Sequence, residues 1–437
     1  DDNKSHHDKI EFEIVLSFYY FGIEKKLSKL SHFNFSSEEV DKIKNSLLEI
    51  TNNIIHPAEG LYKKDLDNSK KLQEKFHSIT SSDLSLIDKV YWLIKDVKKY
   101  GTLPFAGAAR AGFVAVQFLK SFVSECIITE EEYNLFLKSL NTVSKSLIKD
   151  KKTLSKQDFI RKYGHLRPGS YDISSKNYKQ DYDNYFSDKK EIYTEVFFDF
   201  TSAQKSTIND KLSTYKLDVD FDQLITFIKE AIEGRESIKF EFTKFLNQIL
   251  MYITEFGQQL KYDNFSIEEL AHLDVQEIIS LYSTLDHRHV SDILRSDIKK
   301  NMEFYKYTES IKLPSIISCP EDIYSFMMSD NTANFITLNS VKAAVVREGV
   351  TQDDSKTDLN GKIICIKSAD PGYDYLFSRN IGGLITCYGG ANSHMAIRCS
   401  ELGIPAVIGC GERDFNLYNN ASMLELNAGN QKVTVLR

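Results

Sequence analysis

The stretch from Gly383 to Gly409, G-L-I-T-C-Y-G-G-A-N-S-H-M-A-I-R-C-S-E-L-G-I-P-A-V-I-G, puts one histidine where phosphoryl chemistry can occur. Leu384–Cys387 reads as a buried strand. Gly389 and Gly390 then allow a tight turn and close approach to a bulky group. Asn392 and Ser393 follow as polar groups, and Ser393 suits a helix N-cap. Met395, Ala396, Ile397 and Leu402 give the next helix an apolar side. Gly403 fits the left-handed position after that helix, and Pro405 prevents continuation. His394 therefore falls in a first helical turn, beside unpaired backbone N–H groups and the positive end of the helix dipole. A dianionic phosphoryl group is stabilised there. A neutral imidazole, with an ordinary pKa of about 6.5, is a good nucleophile near pH 7. An N-phosphoryl imidazole is labile and can donate to a poor acceptor. The bland reading is a histidine that caps a helix. The whole pattern favours a catalytic His394, with Gly389, Gly390, Asn392, Ser393 and Arg398 around the phosphoryl group.

Four further residues are candidates for holding an acceptor. Tyr163-Gly-His165-Leu-Arg167-Pro-Gly reads as a loop. Arg167 suits a carboxylate or phosphoryl group held bidentately, and His165 suits acid–base work, although a structured turn with a paired Arg explains both equally well. Arg110 lies on a small-residue helix, A-G-A-A-R-A-G, as a substrate ligand or a buried ion pair. Arg235-Glu236 and Lys239-Glu241 fall mid-helix, where ion pairing on a helix face is the simpler account. Asp374, after Pro371-Gly372, is expected to cap a helix rather than touch the histidine loop. His287 and His289 stand two apart, which on a helix points the rings away from each other, so no metal site is expected. His6-His7 reads as a solvated pair.

The elements that must position these residues divide by glycine. Residues 1–360 hold ten Gly and residues 361–437 the other ten. A helical body is thus followed by a turn-dense module. Capping boxes at Ser36–Glu39, Thr129–Glu132 and Ser266–Glu269 open helices. Stripes such as Leu224, Ile225, Ile228 and Ile232, or Leu246, Ile249, Leu250 and Ile253, are core faces. Glu11–Phe18 is a candidate strand, and 174–220 a long irregular or partly helical connection. After Asp330 short strands are expected at Asn334–Leu338, Ala343–Val346, Lys362–Ile366, Leu384–Cys387, Ala406–Ile408 and Val433–Leu436, with helices at Tyr373–Arg379 and Ser393–Leu402.

Composition bounds the function. The chain has 437 residues, 42% hydrophobic and 27% charged, with a net charge of −7. This is a globular balance of two to four domains. A small negative excess argues against a dedicated nucleic-acid or anionic-membrane binder. No stretch reads as long and apolar enough to span a bilayer. Six cysteines without a C-x-x-C pair fit a reducing cytoplasm and argue against zinc. The start, D-D-N-K-S-H-H-D-K, lacks Met and a signal-peptide core and reads as an internal beginning.

The pattern G-G-A-N-S-H-M-A-I…E-L-G-I-P-A-V-I-G resembles the phosphohistidine swivelling domain of phosphoenolpyruvate-utilising enzymes. That family includes pyruvate phosphate dikinase, phosphoenolpyruvate synthase and the rifamycin phosphotransferases. Thr102–Arg110, Lys162–Ile173, Glu233–Lys244 and Ser368–Phe377 look like segments of its kinase-type members, such as the L-glutamine kinases of capsule phosphoramidate synthesis. The resemblance implies an α+β multidomain protein: a mainly helical acceptor domain over 1–325, then a β/β/α swivelling domain over 326–437. It implies ATP as donor, with Mg²⁺, through an N-terminal ATP-grasp domain of the same protein that this chain does not resemble. AMP and phosphate would be the products, and a small molecule, best L-glutamine at its amide nitrogen, the acceptor. A rifamycin-type or pyruvate acceptor, and a phosphocarrier without acceptor chemistry of its own, are the alternatives. The family often has Ala-Arg before the helix Glu; here Cys399 and Ser400 stand there, so Arg398 or another domain must clamp the phosphoryl group. The chain has no G-x-x-x-x-G-K-[ST] loop and is too short for a (β/α)₈ barrel beside the rest.

Overall fold

The computed structural model describes residues 16–186, 196–260, 265–283, 290–311, 319–324, 333–347, 358–391 and 393–437, with 313 and 317. Asn392, His6, His7, His287 and His289 lie outside these residues, as does most of the candidate strand at Glu11–Phe18.

The N-terminal region is mostly helical, and the C-terminal region is a sheet with helices. All three expected capping boxes are formed, at Ser36, Thr129 and Ser266. Boxes also form at Thr201, Asp220 and Cys319. The first opens Ser202–Thr214, the helical part of the connection expected over 174–220. Four helices of this region bear on the site: α1 (Leu61–Thr80), α2 (Leu103–Ser124), α3 (Val143–Thr153) and α4 (Phe221–Gln259).

The 39 residues of α4 make a rod about 58 Å long. It contains no proline, and its glycines serve packing. A Cβ on Gly234 would lie 2.5 Å from Leu66 of α1. Across from it, α2 presents Ala111, Gly112, Val114 and Ala115, all buried. This small-residue face lets α2 lie close to α4, with the Arg235 side chain passing over Gly112.

The run Leu86–Ser124, which includes α2, is by length and composition able to cross a membrane. This differs from the expectation that no such stretch exists. Alanines and glycines raise its mean hydropathy, and a core helix passes the same test; under half of its apolar window is buried.

The C-terminal sheet has seven strands: β1 (Asn334–Ile336), β2 (Ser340–Val346), β3 (Ile363–Ile366), β4 (Gly383–Thr386), β5 (Ala406–Ile408), β6 (Met423–Asn427) and β7 (Lys432–Val435). Their order is β1-β5-β4-β3-β2-β6-β7. Strands β2 to β5 are parallel neighbours, and β1, β6 and β7 run antiparallel at the two sides. β3 and β4 are buried along their whole length, as parallel strands covered on both faces must be. β6 was not expected: Met423–Asn427 alternates exposed and buried, a weaker signal than an apolar run.

Two helices cover this sheet, α5 (His394–Leu402) and α6 (Gly411–Asn419). The expected helix at Tyr373–Arg379 is a 3₁₀ helix, Pro371–Arg379. One hydrophobic core joins the two regions. Phe159, Tyr163, Tyr178, Tyr182, Tyr185 and Phe186 of the helical region pack with Ile364, Tyr375, Leu376, Met395 and Cys399 of the sheet region. The expected division at 325/326 is therefore crossed by shared side chains.

Candidate functional site

His394 and Asp374 meet because they follow adjacent parallel strands. The chain leaves the carboxyl end of β3 at Ile366 and enters the 3₁₀ helix that carries Asp374. It leaves the carboxyl end of β4 at Thr386 and enters α5 at His394. Open parallel sheets concentrate their sites at such strand ends.

The local backbone follows the sequence closely. Gly389 has φ +126°, and a Cβ there would lie 2.8 Å from Ala369. Ser393 N–H donates to the Gly390 carbonyl at 3.0 Å, closing the turn. Ser393 caps α5 by accepting from Ala396 N at 3.3 Å. Gly403 ends the helix at φ +69°.

His394 Nε2 lies 2.7 Å from Asp374 Oδ1. Ser144 Oγ donates to Asp374 Oδ2 at 2.7 Å and lies 3.3 Å from the same Nε2. An ionised carboxylate only accepts, so Nε2 carries a proton and donates it. Burial alone would push the Asp374 carboxyl up; His394, Arg398 and the Ser144 hydroxyl outweigh it and hold it below the usual range. Asp374 is thus the partner of the ring, not a cap. The cap is Asp370, which accepts from Gly372 N at 2.8 Å.

Ser144 belongs to the helical region, and α4 sets its place. Glu233 Oε1 accepts from Asn141 N at 2.7 Å, and Glu236 Oε2 from Val143 N at 3.2 Å. These bonds grip the chain just before Ser144. Glu236 is one turn from Lys239, and Arg235 lies on the same side of α4, which faces the sheet region.

Arg235 and Lys239 are half-buried, and neither makes a hydrogen bond or ion pair among the described residues. Burial lowers the Arg235 guanidinium against the opposing pull of Glu236 and Glu401. Burial lowers the Lys239 ammonium too, opposed chiefly by Asp370 and Asp374. Ion pairing on an open helix face, the simpler expectation, does not describe them: Glu241 pairs with Lys244 at 2.8 Å. Each is thus balanced at a distance, Arg235 by Glu236 and Glu401 and Lys239 by Asp370 and Asp374, without a direct bond.

Arg398 is engaged elsewhere. Its Nη1 is bound to Glu401 Oε2, and its guanidinium lies 5.6 Å over the Phe377 ring. Burial opposes its charge, but Glu401, Asp374 and Glu236 more than compensate and raise its pKa. Its Nε is buried without a partner. The cations near His394 that make no direct bond among the described residues are thus on α4 rather than on α5.

The loop carrying His165 and Arg167 is a seat for the Asp374 turn. Arg167 Nη1 donates to the carbonyls of Asp172 and Ser175 at 3.1 and 3.0 Å, and Nη2 to Asn247 Oδ1 at 2.6 Å. Its own carbonyl presses on Gly372, where a Cβ would stand 1.7 Å away. Tyr178 Oη donates to the Gly372 carbonyl at 2.8 Å. His165 lies 3.2 Å from the Phe240 carbonyl through Nε2. Burial, with Lys244 nearby, pushes its imidazole down to about 3. It is neutral at pH 7, and Nε2–H donates to that carbonyl. Arg110 is exposed, with Asp65 of α1 as its charged neighbour.

Of the sequence candidates, His394, Gly389, Gly390, Ser393, Arg398 and Arg235 come together. His165 and Arg167 stand one layer behind, and Arg110 stands by Asp65. Ser144, Asp374 and Lys239 were missed as site residues. Lys239 was legible as one helical turn past Arg235. Asp374 was legible only through strand order, and Ser144 had no signal of its own.

Residues 359–435 match the family described as PEP-utilising enzyme, mobile domain. The match runs from just before β3 to the end of β7 and contains His394. This supports the phosphoenolpyruvate-utilising family and a phosphohistidine-carrying swivel module of the kind found in dikinase-type enzymes. No curated protein matches the chain.

Proposed function

We propose that His394 carries a phosphoryl group and delivers it to a small molecule held between α4 and the sheet region. One observation carries this reading. His394 is anchored to the helical region through Asp374 and Ser144, near two half-buried cations of α4, Arg235 and Lys239, that make no direct hydrogen bond or ion pair among the described residues. One cation suits the transferring phosphoryl group, and the other suits an anionic group of the acceptor. L-Glutamine is the favoured acceptor. Its α-carboxylate takes a cation, and its amide nitrogen receives the phosphoryl group.

ATP with Mg²⁺ is the proposed source, through an ATP-grasp domain of the same protein. The described residues contain no group of three His, Cys, Asp or Glu placed to hold a metal ion. The Mg²⁺ would accompany the nucleotide in that domain.

The test uses the full-length protein with ATP labelled at the β-phosphorus. Label should appear on His394, and His394→Asn should abolish both label and product while keeping the wild-type melting temperature. With L-glutamine, ³¹P NMR should show a P–N product. Full product formation by His394→Asn would sink the carrier assignment, and a P–O product would sink the amide acceptor.

A further inference from the structure

We infer that Asp374 is the acid–base partner of His394, exchanging a proton for the phosphoryl group on Nε2. The inference rests on the carrier reading of His394 and deepens it.

Nε2 is held on two sides, by Asp374 Oδ1 at 2.7 Å and Ser144 Oγ at 3.3 Å. Because the carboxylate only accepts, this nitrogen bears hydrogen in the structure. A nitrogen that bears hydrogen has no free lone pair, and the proton must leave before phosphorus can bind. The group in reach to take it is Asp374. Other carboxylates of the site are committed: Glu236 to Val143 N, Glu401 to Arg398, and Asp370 to Gly372 N.

The step balances as follows. As phosphorus approaches from a phosphoanhydride, the Nε2–H bond breaks and its proton goes to Asp374 Oδ1. The Nε2–P bond forms, and the donor's P–O bond breaks with its electron pair on the leaving oxygen. Asp374 is then a neutral acid beside a phosphoryl group. It can donate a hydrogen bond to a phosphoryl oxygen rather than repel it. In transfer, the P–Nε2 bond breaks with its pair on nitrogen, which takes the proton back from Asp374. The acceptor's own proton goes to solvent or to the new phosphoryl group. Ser144 fixes the second carboxylate oxygen, so this arm is complete when the sheet region sits on the helical one. The other charged and titratable groups facing Asp374 are Arg398 and Cys399 from α5, Lys239 from α4 and Tyr178 from the segment after the Arg167 loop.

A chemical donor tests this without the loading machinery. Potassium phosphoramidate is used to phosphorylate the full chain, and the label on His394 is followed by ³¹P NMR and mass spectrometry. The phosphoryl group should sit on Nε2. In folded Asp374→Asn its half-life should be longer than wild type by at least about tenfold, the low end of acid–base effects. Asp374→Glu should recover most of the wild-type rate, and the difference should vanish in urea. A purely structural role would not give this pattern of rescue. If Asp374→Asn does not fold, Asp374→Ser carries the same comparison. Equal half-lives in the folded proteins, or a phosphoryl group on Nδ1, overturn the inference. If wild-type His394 takes no label while other histidines do, the carrier reading falls, and this inference with it.

Discussion

Lys239 shows how a single residue can be tested for function through its effect on stability. Its ammonium is half-buried, makes no direct hydrogen bond or ion pair among the described residues, and is lowered by burial. Such a group costs stability in the resting protein and is kept where something else needs it. Lys239→Met keeps the stem length and removes the charge. The melting temperature should hold or rise, while transfer from phosphorylated His394 should fall by about 100-fold, equivalent to about 2.7 kcal/mol. A cation serving only the fold would show the reverse, a lower melting temperature with normal transfer. Arg398 provides the contrast. Its pairing with Glu401 is local to α5, spaced three apart, and was within reach of the sequence. The role of Asp374 was not, because its carboxylate meets His394 across 20 residues and two strand connections.

At the scale of elements, the histidine turn was legible and its seat was not. Gly389, Ser393 and Gly403 each impose a local geometry, and each adopts it. The strands β3, β4 and β5 were legible as short apolar runs. β6 escaped because alternation over five residues is a faint signal. The Arg167 loop escaped in a different way. Gly, His, Arg and Pro in sequence suggest a ligand site, yet the Arg167 guanidinium bonds its own loop and α4. Nothing local reveals that the loop's outer side receives Gly372. That contact can be tested. In Gly372→Ala the new methyl would stand 1.7 Å from the Arg167 carbonyl, and a backbone atom cannot step aside cheaply. Overpacking of this kind should cost about 1–3 kcal/mol. Asp374, two residues on, should shift off Nε2, so the product rate should fall along with the melting temperature. A Gly372→Ala protein with wild-type stability and rate would show that the seat yields freely.

At the scale of the molecule, the shared core poses the question of how a carrier could leave its dock. Tyrosines recur among the joining side chains: Tyr163, Tyr178, Tyr182 and Tyr185 on one side, Tyr373 and Tyr375 on the other. A tyrosine ring buries much apolar area yet keeps a polar tip, so it tolerates wetting better than phenylalanine or leucine. Phe159 has no such tip. It is fully buried, and its ring stands 4.9 Å from Tyr163 and 5.0 Å from Phe186. Truncating it opens a cavity in the core that the two regions share. Phe159→Ala should lower stability by about 3–5 kcal/mol. The more telling readout is where the loss is felt. If the core is truly common, hydrogen exchange should quicken at β3 and β4, about two hundred residues further along the chain, as well as in Lys156–Tyr163. The swivel reading adds a second expectation. Loosening the dock should favour the undocked carrier, so His394 in Phe159→Ala should be labelled at least as fast as wild type while transfer to the acceptor slows. Faster exchange confined to Lys156–Tyr163, with both half-reactions unchanged, would mean that the two regions touch there without depending on each other.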